Sequence, residues 1–401
     1  MDIFERIQQN NGPIGELQNI IEGNFAFPKF EGEISNHIFF KDKKLVCWSY
    51  NNYLGLASSK EIDEIDAHAQ KKWGMTYPMG SRMMTGDTFL HDEFENNIAD
   101  FIQMEKALLL NFGYQGMLSV VDALLSPNDV VISDEQCHAC IIDGIRLHRG
   151  KKLIFKHNNI QNLEQQLKAA EEITQKTKGG ILVITEGVFS MSGAQGKLKE
   201  ICDLKAKYDF RLLVDDAHGF GDMGQGNGTV CAHGLENKVD LYFTTFTKSM
   251  ASFGAIIAGK KEVINYFKYN LRSQLFSKSL PMPIVYGLNE RLKIVIKAHD
   301  NRKKLFEITA LLQDGLKKRK LLSSSVNSYI TPVYFNIKLD DVFSLQKELV
   351  HNHGVYCSVI IHPVVPKGVV IFRLTPTSLH TKEDVDRTLK SFDTVFKKYM
   401  R

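Results

Sequence analysis

Between residues 107 and 258 one pattern recurs: a short apolar run of strand length, a longer amphipathic stretch, then another run. The runs are Ala107–Asn111, Val130–Ser133, Leu153–Phe155, Ile181–Thr185, Arg211–Val214, Tyr242–Phe246 and Ala255–Ala258. They are near-continuously apolar rather than alternating, so both faces of each strand must be covered. Amphipathic stretches such as Leu163–Glu172 and Leu198–Tyr208 supply that cover as helices. An α/β fold with a mostly parallel central sheet meets both demands.

The flanks read differently. Residues 1–60 form an N-terminal arm, with a helix near Gly15–Glu22 and a β-like segment Ile38–Trp48. Residues 61–290 make the large α/β domain. After a helical Ile284–Lys297 region, residues 291–401 make a smaller α+β domain. Its elements are a helix near 302–319, strand Ile330–Phe335, helix Phe343–His351, strands Val355–Ile361 and Val369–Leu374, and a last helix over 381–398.

Charge excludes one class of partner. With 50 basic against 46 acidic side chains, the net charge of +4 implies no nucleic acid. No run of 18 apolar residues spans a membrane, and the first residues lack a secretion-signal pattern. Six scattered cysteines suit reduced thiols in a cytoplasm. Cys137-His-Ala-Cys140 spells C-x-x-C, but no second pair completes a zinc site, so no metal is expected.

A parallel sheet gathers its functional loops at the carboxyl ends of its strands. Read in order, those ends carry Gly113 and Tyr114 opening a helix, His138, Glu186 to Ser190, Asp215 to Gly219, and Thr245-Phe-Thr247-Lys248. Each alone is weak: a strand-end Asp is often only a cap, and a lone His is often structural. Together they offer an amine, an acid for a pyridinium nitrogen, a donor for a phenolate, a ring to stack and a phosphate cradle. That set fits pyridoxal phosphate. Gly219-Phe-Gly221-Asp-Met-Gly224 matches G-x-G-x-x-G, but a loop composition follows it where a dinucleotide site needs a helix.

The ordered motifs resemble the α-oxoamine synthases, a branch of the fold-type I (aspartate aminotransferase-like) pyridoxal phosphate enzymes. The similarity runs from about Ser49 to Thr381. It rests on Asn51-Asn-Tyr53-Leu-Gly55, Gly80-Ser-Arg82 with Gly86 and His91, and Asp134-Glu-Gln-Cys-His138-Ala-Cys-Ile-Ile-Asp143-Gly. Glu186-Gly-Val-Phe-Ser190, Val214-Asp-Asp-Ala-His218-Gly, Thr245-Phe-Thr-Lys248-Ser, Phe276-Ser277-Lys-Ser279-Leu-Pro281 and Arg373-Leu-Thr-Pro-Thr with His380-Thr381 complete it. The lysine segment is similar to that of lipid-forming members such as serine palmitoyltransferase. Tyr77-Pro-Met-Gly80-Ser-Arg-Met-Met84 resembles a bacterial cysteate acyltransferase subgroup. Cys140 stands where the family usually has serine, and Ala255 where it commonly has glycine.

The resemblance implies the roles. Lys248 would form the Schiff base and move the Cα proton. Asp215 would pair with the ring nitrogen, His218 with the phenolate oxygen, and His138 would stack on the ring. Gly113, Tyr114, Thr245 and Thr247 would hold the phosphate, and Ser277 the phosphate of a neighbouring subunit in a homodimer. Arg373 would take the substrate carboxylate, with Asn51 and Ser190 as further ligands.

The implied reaction joins a small polar amino acid, L-cysteate or L-serine, to a long-chain acyl thioester on coenzyme A or a carrier protein, with loss of CO₂. Ser81, Arg82, Tyr77 and His138 are candidate donors to a sulfonate. The alternatives are relatives using glycine or alanine (2-amino-3-ketobutyrate ligase-like or 8-amino-7-oxononanoate synthase-like), or an aminotransferase.

Overall fold

All seven apolar runs become strands of one sheet. The computed structural model describes residues 2–9, 26–323, 326–335, 339–362 and 364–399; the helix expected near Gly15–Glu22 lies outside them. Across the sheet the order is Lys106–Leu110, Ala255–Gly259, Leu241–Thr245, Arg211–Asp215, Ile181–Glu186, Val130–Asp134 and Lys151–Phe155. Five neighbouring strands, from Leu241–Thr245 to Lys151–Phe155, run parallel. Ala255–Gly259 is antiparallel to both its neighbours. The fold class is therefore α/β with a mostly parallel sheet, as the pattern requires.

The described chain divides into two units, residues 59–190 with 194–302, and residues 1–58 with 191–193 and 303–401. In the first, the sheet strands Val130–Asp134, Ile181–Glu186 and Leu241–Thr245 are buried along their whole length. Helices Gly113–Leu124 and Ala139–Leu147 cover one face, packing Met117, Val120, Ile141 and Ile145 against Leu108, Leu110, Ile184 and Ile257. Each such side chain contributes roughly 1.5–3 kcal/mol through its removal from water. Gly116 is what lets the first helix lie so close: a Cβ there would sit 2.8 Å from Leu110 Cδ1. At the sheet's edge, Lys151 and Lys152 stay exposed and discourage further strand pairing.

In the second unit, the segment expected as one β-run is two strands, His37–Phe40 and Lys43–Cys47. They turn through Lys41 and Asp42 at φ +50° and +62°. Lys43–Cys47 also pairs in parallel with Val355–Tyr356. A separate antiparallel sheet orders Thr331–Phe335, Val370–Leu374 and Ser358–Ile360. Trp48, Leu312, Leu345, Phe372 and Phe392 meet in this unit's core. His380 stacks on Trp48 with 3.9 Å between ring centroids, and the indole Nε1 donates to Thr388 Oγ1 at 2.9 Å. No helix among the described residues is long and apolar enough to cross a membrane.

Candidate active site

The carboxyl ends of the parallel strands bring most of the expected residues onto one edge of the large sheet. Helix Gly113–Leu124 begins after Phe112, whose side chain makes no cap hydrogen bond. Its first N–H groups thus lack intrahelical partners, and its dipole is positive at this end. Gly113 lies against the end of strand Leu241–Thr245: a Cβ on it would be 3.1 Å from Thr245 Oγ1. Thr245 Oγ1 donates to the Gly254 carbonyl at 3.1 Å and is 3.2 Å from Thr247 Oγ1. Helix amides and two hydroxyls so placed fit a phosphate dianion.

Asp215 ends its strand fully buried, accepting the Ala217 N–H at 3.0 Å. Burial raises its pKa, and the nearby Lys248 ammonium pulls it back down. Lys248 sits half-buried in the loop from Leu241–Thr245 to Ala255–Gly259, with the Ala251 N–H donating to its carbonyl at 2.9 Å. His218 is buried in the turn after Asp215, and Ser190 is half-buried after Ile181–Glu186.

His138 leaves its ring exposed as the cap of helix Ala139–Leu147. Its Nδ1 accepts from the Cys140 N–H at 3.3 Å and lies 3.0 Å from Cys140 Sγ. Partial burial lowers its pKa and the Lys248 charge adds to this, against an opposing pull from Asp215. A neutral, exposed ring is suited to stacking on another. Tyr114 meets it edge-on, 6.2 Å between centroids, and its hydroxyl bonds Asp143. Ser277 Oγ accepts from Asn111 Nδ2 at 3.3 Å and donates to the Ser273 carbonyl.

Several motif residues turn out to build rather than face the site. Asp216, next to Asp215, accepts from Thr229 N and Thr229 Oγ1 at 2.7 Å and from the Tyr242 hydroxyl at 2.9 Å. Burial pushes its carboxyl up to about 7 despite those donors. Asp216→Ala would leave buried donors unpaired, at roughly 1–3 kcal/mol each. The expected result is a substantially lower melting temperature, measured by calorimetry on the purified protein; an unchanged one would contradict this reading. Arg82 is committed to Glu95, Asp87 and the Leu109 carbonyl, which removes it as a sulfonate donor. His91 is buried between Thr88 and Ser279, and burial holds its pKa down at about 3.

The glycine-rich match leads into turns, as its composition implies, and a Cβ on Gly219 would fall 2.1 Å from Asp216 Oδ1. All six cysteines are free thiols, and the described residues hold no cluster suited to a metal ion. Two partners of His138 escaped the motif reading: Cys140, and Glu186, whose Oε1 accepts the His138 N–H at 2.5 Å. The first was visible only as a departure from the usual serine, the second only as a motif letter.

Asn51 and Arg373 belong to the other unit and meet there. Both terminal nitrogens of the buried Arg373 donate to Asn51 Oδ1 at 3.3 Å, and the Tyr53 hydroxyl donates to the same oxygen at 3.2 Å. Ser358, the strand partner of Arg373, donates to Ser49 Oγ at 3.0 Å.

The similarities to known proteins are extensive. Residues 43–392 match the family described as aminotransferase class I and II. A cysteate-C-fatty acyltransferase from Capnocytophaga ochracea is 47% identical over 99% of this chain and 95% of its own length. An 8-amino-7-oxononanoate synthase from Thermosipho melanesiensis is 37% identical over 96% of each chain. A solved serine palmitoyltransferase from S. paucimobilis with bound PLP superposes at a TM-score of 0.90, with 25% identity over 99% of both chains. The fold is that of the fold-type I enzymes. On sequence and architecture together, the chain belongs to the class I and II aminotransferase family.

Proposed function

We propose that the chain is a pyridoxal-phosphate-dependent C-acyltransferase that condenses a small polar amino acid, L-cysteate foremost, with a long-chain acyl thioester, releasing CO₂. The observation that carries the reading is the gathering of Lys248, buried Asp215, exposed His138 and an uncapped helix N-terminus beside Thr245 and Thr247 on one sheet edge. The likeness to the cysteate-C-fatty acyltransferase supports the substrate class.

Pyridoxal phosphate supplies an amine-capturing aldehyde and a ring that accepts an electron pair from the α-carbon. Gly113 and Tyr114 amides with the Thr245 and Thr247 hydroxyls hold its phosphate, and Asp215 keeps a proton on its ring nitrogen. His138 covers one ring face and His218 donates to the phenolate oxygen. The Lys248 amine would hold the cofactor covalently and would serve as the base for the Cα proton. Arg373 holds the amino-acid carboxylate, Asn51 orients it, and Ser190 is a further ligand.

A homodimer completes the reading, with Ser277 serving the neighbouring subunit's phosphate. An exposed apolar stretch supports it: Met79 is 76%, Met84 78% and Phe89 92% exposed, a surface that calls for cover. Sedimentation should give a dimer, and a fully active monomer would refute the shared site. Free thiols throughout suit a reducing, cytoplasmic compartment.

The test of substrate is a side-by-side assay of one long-chain acyl thioester with L-cysteate, L-serine, glycine and L-alanine. L-Cysteate is expected to turn over fastest, by about tenfold, since one charge-assisted hydrogen bond to a sulfonate is worth roughly 1.5–3 kcal/mol. A clear preference for alanine would instead favour a reaction like that of the 8-amino-7-oxononanoate synthase relative.

A further inference from the structure

Two buried carboxyl groups stand side by side in this site, and the reaction as described uses one. Glu186 ends its strand directly opposite Asp215 on the next, and cross-strand partners in a parallel pair point to the same face. Glu186 is 3% and Asp215 4% exposed. Its Oε1 receives the backbone N–H of His138, the residue linking strand Val130–Asp134 to helix Ala139–Leu147. Asp134, Asp215, Cys137, Cys140 and Lys248 also face it electrostatically.

Two neighbouring carboxyls buried this deeply each disfavour the other's charge. Asp215 is favoured as the charged one, because the Ala217 N–H and Lys248 both stabilise its anion. For Glu186, burial and then the Asp215 charge drive its pKa well up, outweighing the single His138 N–H and Lys248.

Resting on the proposed cofactor site, we propose that Glu186 is a positioning residue held as an uncharged acid. It pins the backbone that presents the His138 ring, and it leaves Asp215 as the one charged member of the pair. No step passes through Glu186 itself. Cys140 meets the ring itself, at Nδ1.

Two measurements test this. Isotope-edited infrared spectroscopy of the cofactor-free protein near neutral pH should show a protonated carboxyl band that Glu186→Gln removes; finding no such band overturns the proposal. Pyridoxal phosphate affinity should fall about tenfold in Glu186→Ala, and Glu186→Gln, neutral and still able to accept from His138, should recover all but about threefold. A Gln variant as weak as the Ala variant would mean the charge is needed, and overturns it too. Should the Ala variant fail to fold, the band and the Gln affinity still decide. Failure of the wild-type protein to bind pyridoxal phosphate would sink the proposed function and leave the infrared result standing.

Discussion

Lys248→Ala is expected to fold normally and to lose turnover by about a thousandfold or more. The substitution removes both functions proposed for Lys248, the covalent anchor and the general base, and base catalysis alone is worth about 10²–10⁴-fold. Lys248 is half-buried in a loop whose shape is fixed by backbone bonds, including Ala251 N to the Lys248 carbonyl, so a smaller side chain leaves the loop standing. The accompanying measurement is borohydride reduction of the wild-type protein with its cofactor, followed by peptide mapping. The label should sit on Lys248. A label on any other lysine, or an alanine variant with near-normal turnover, would dismiss the assignment.

Asp215→Asn should separate stability from activity. Removing the carboxylate proposed to pair with the ring nitrogen should cost on the order of a hundredfold or more in turnover, the scale seen when one preorganised charge-stabilising group is lost. Stability should respond in the opposite sense. The folded pKa of Asp215 is raised by burial, so its contribution to stability is fully present below the unfolded pKa and is lost as pH rises through the folded value. The asparagine has no such dependence, and its carbonyl can still accept from Ala217 N–H. At neutral pH the cofactor-free variant should therefore melt at or above the wild-type temperature, the gap closing on acidification. Calorimetry across pH with a parallel turnover assay reads both. A variant with normal turnover would hand the ring nitrogen to another acid, and Asp216, already bonded to Thr229 and Tyr242, would be the first to examine.

The sheet was legible because a strand buried on both faces has to be apolar throughout: each expected run overlaps an observed strand, with ends shifted by one or two residues. Direction was not legible. Ala255–Gly259 carries the same apolar composition as its parallel neighbours and runs against them, since periodicity records which faces are buried and not which way the chain travels. The turn at Lys41 and Asp42 escaped for a related reason. Both residues take positive φ without the Asn-Gly or Asp-Gly signal that normally marks such a hairpin.

In the candidate site, residues at strand ends could be read one by one. Glu186 beside Asp215 depends on the register between strands, and Asp216 as a structural acid depends on which way its side chain turns; neither is written in local spacing.

The pairing of Lys43–Cys47 with Val355–Tyr356 has a consequence for biosynthesis. The early strand leaves the ribosome about 310 residues before its parallel partner exists. At roughly 5–20 residues per second, it waits about 15 to 60 seconds with that edge open. Lys106–Leu110 waits in the same way, for about 150 residues, until Ala255–Gly259 arrives. The nascent chain thus carries unsatisfied strand edges for most of its synthesis, an interval in which those edges are open to mispairing with other chains.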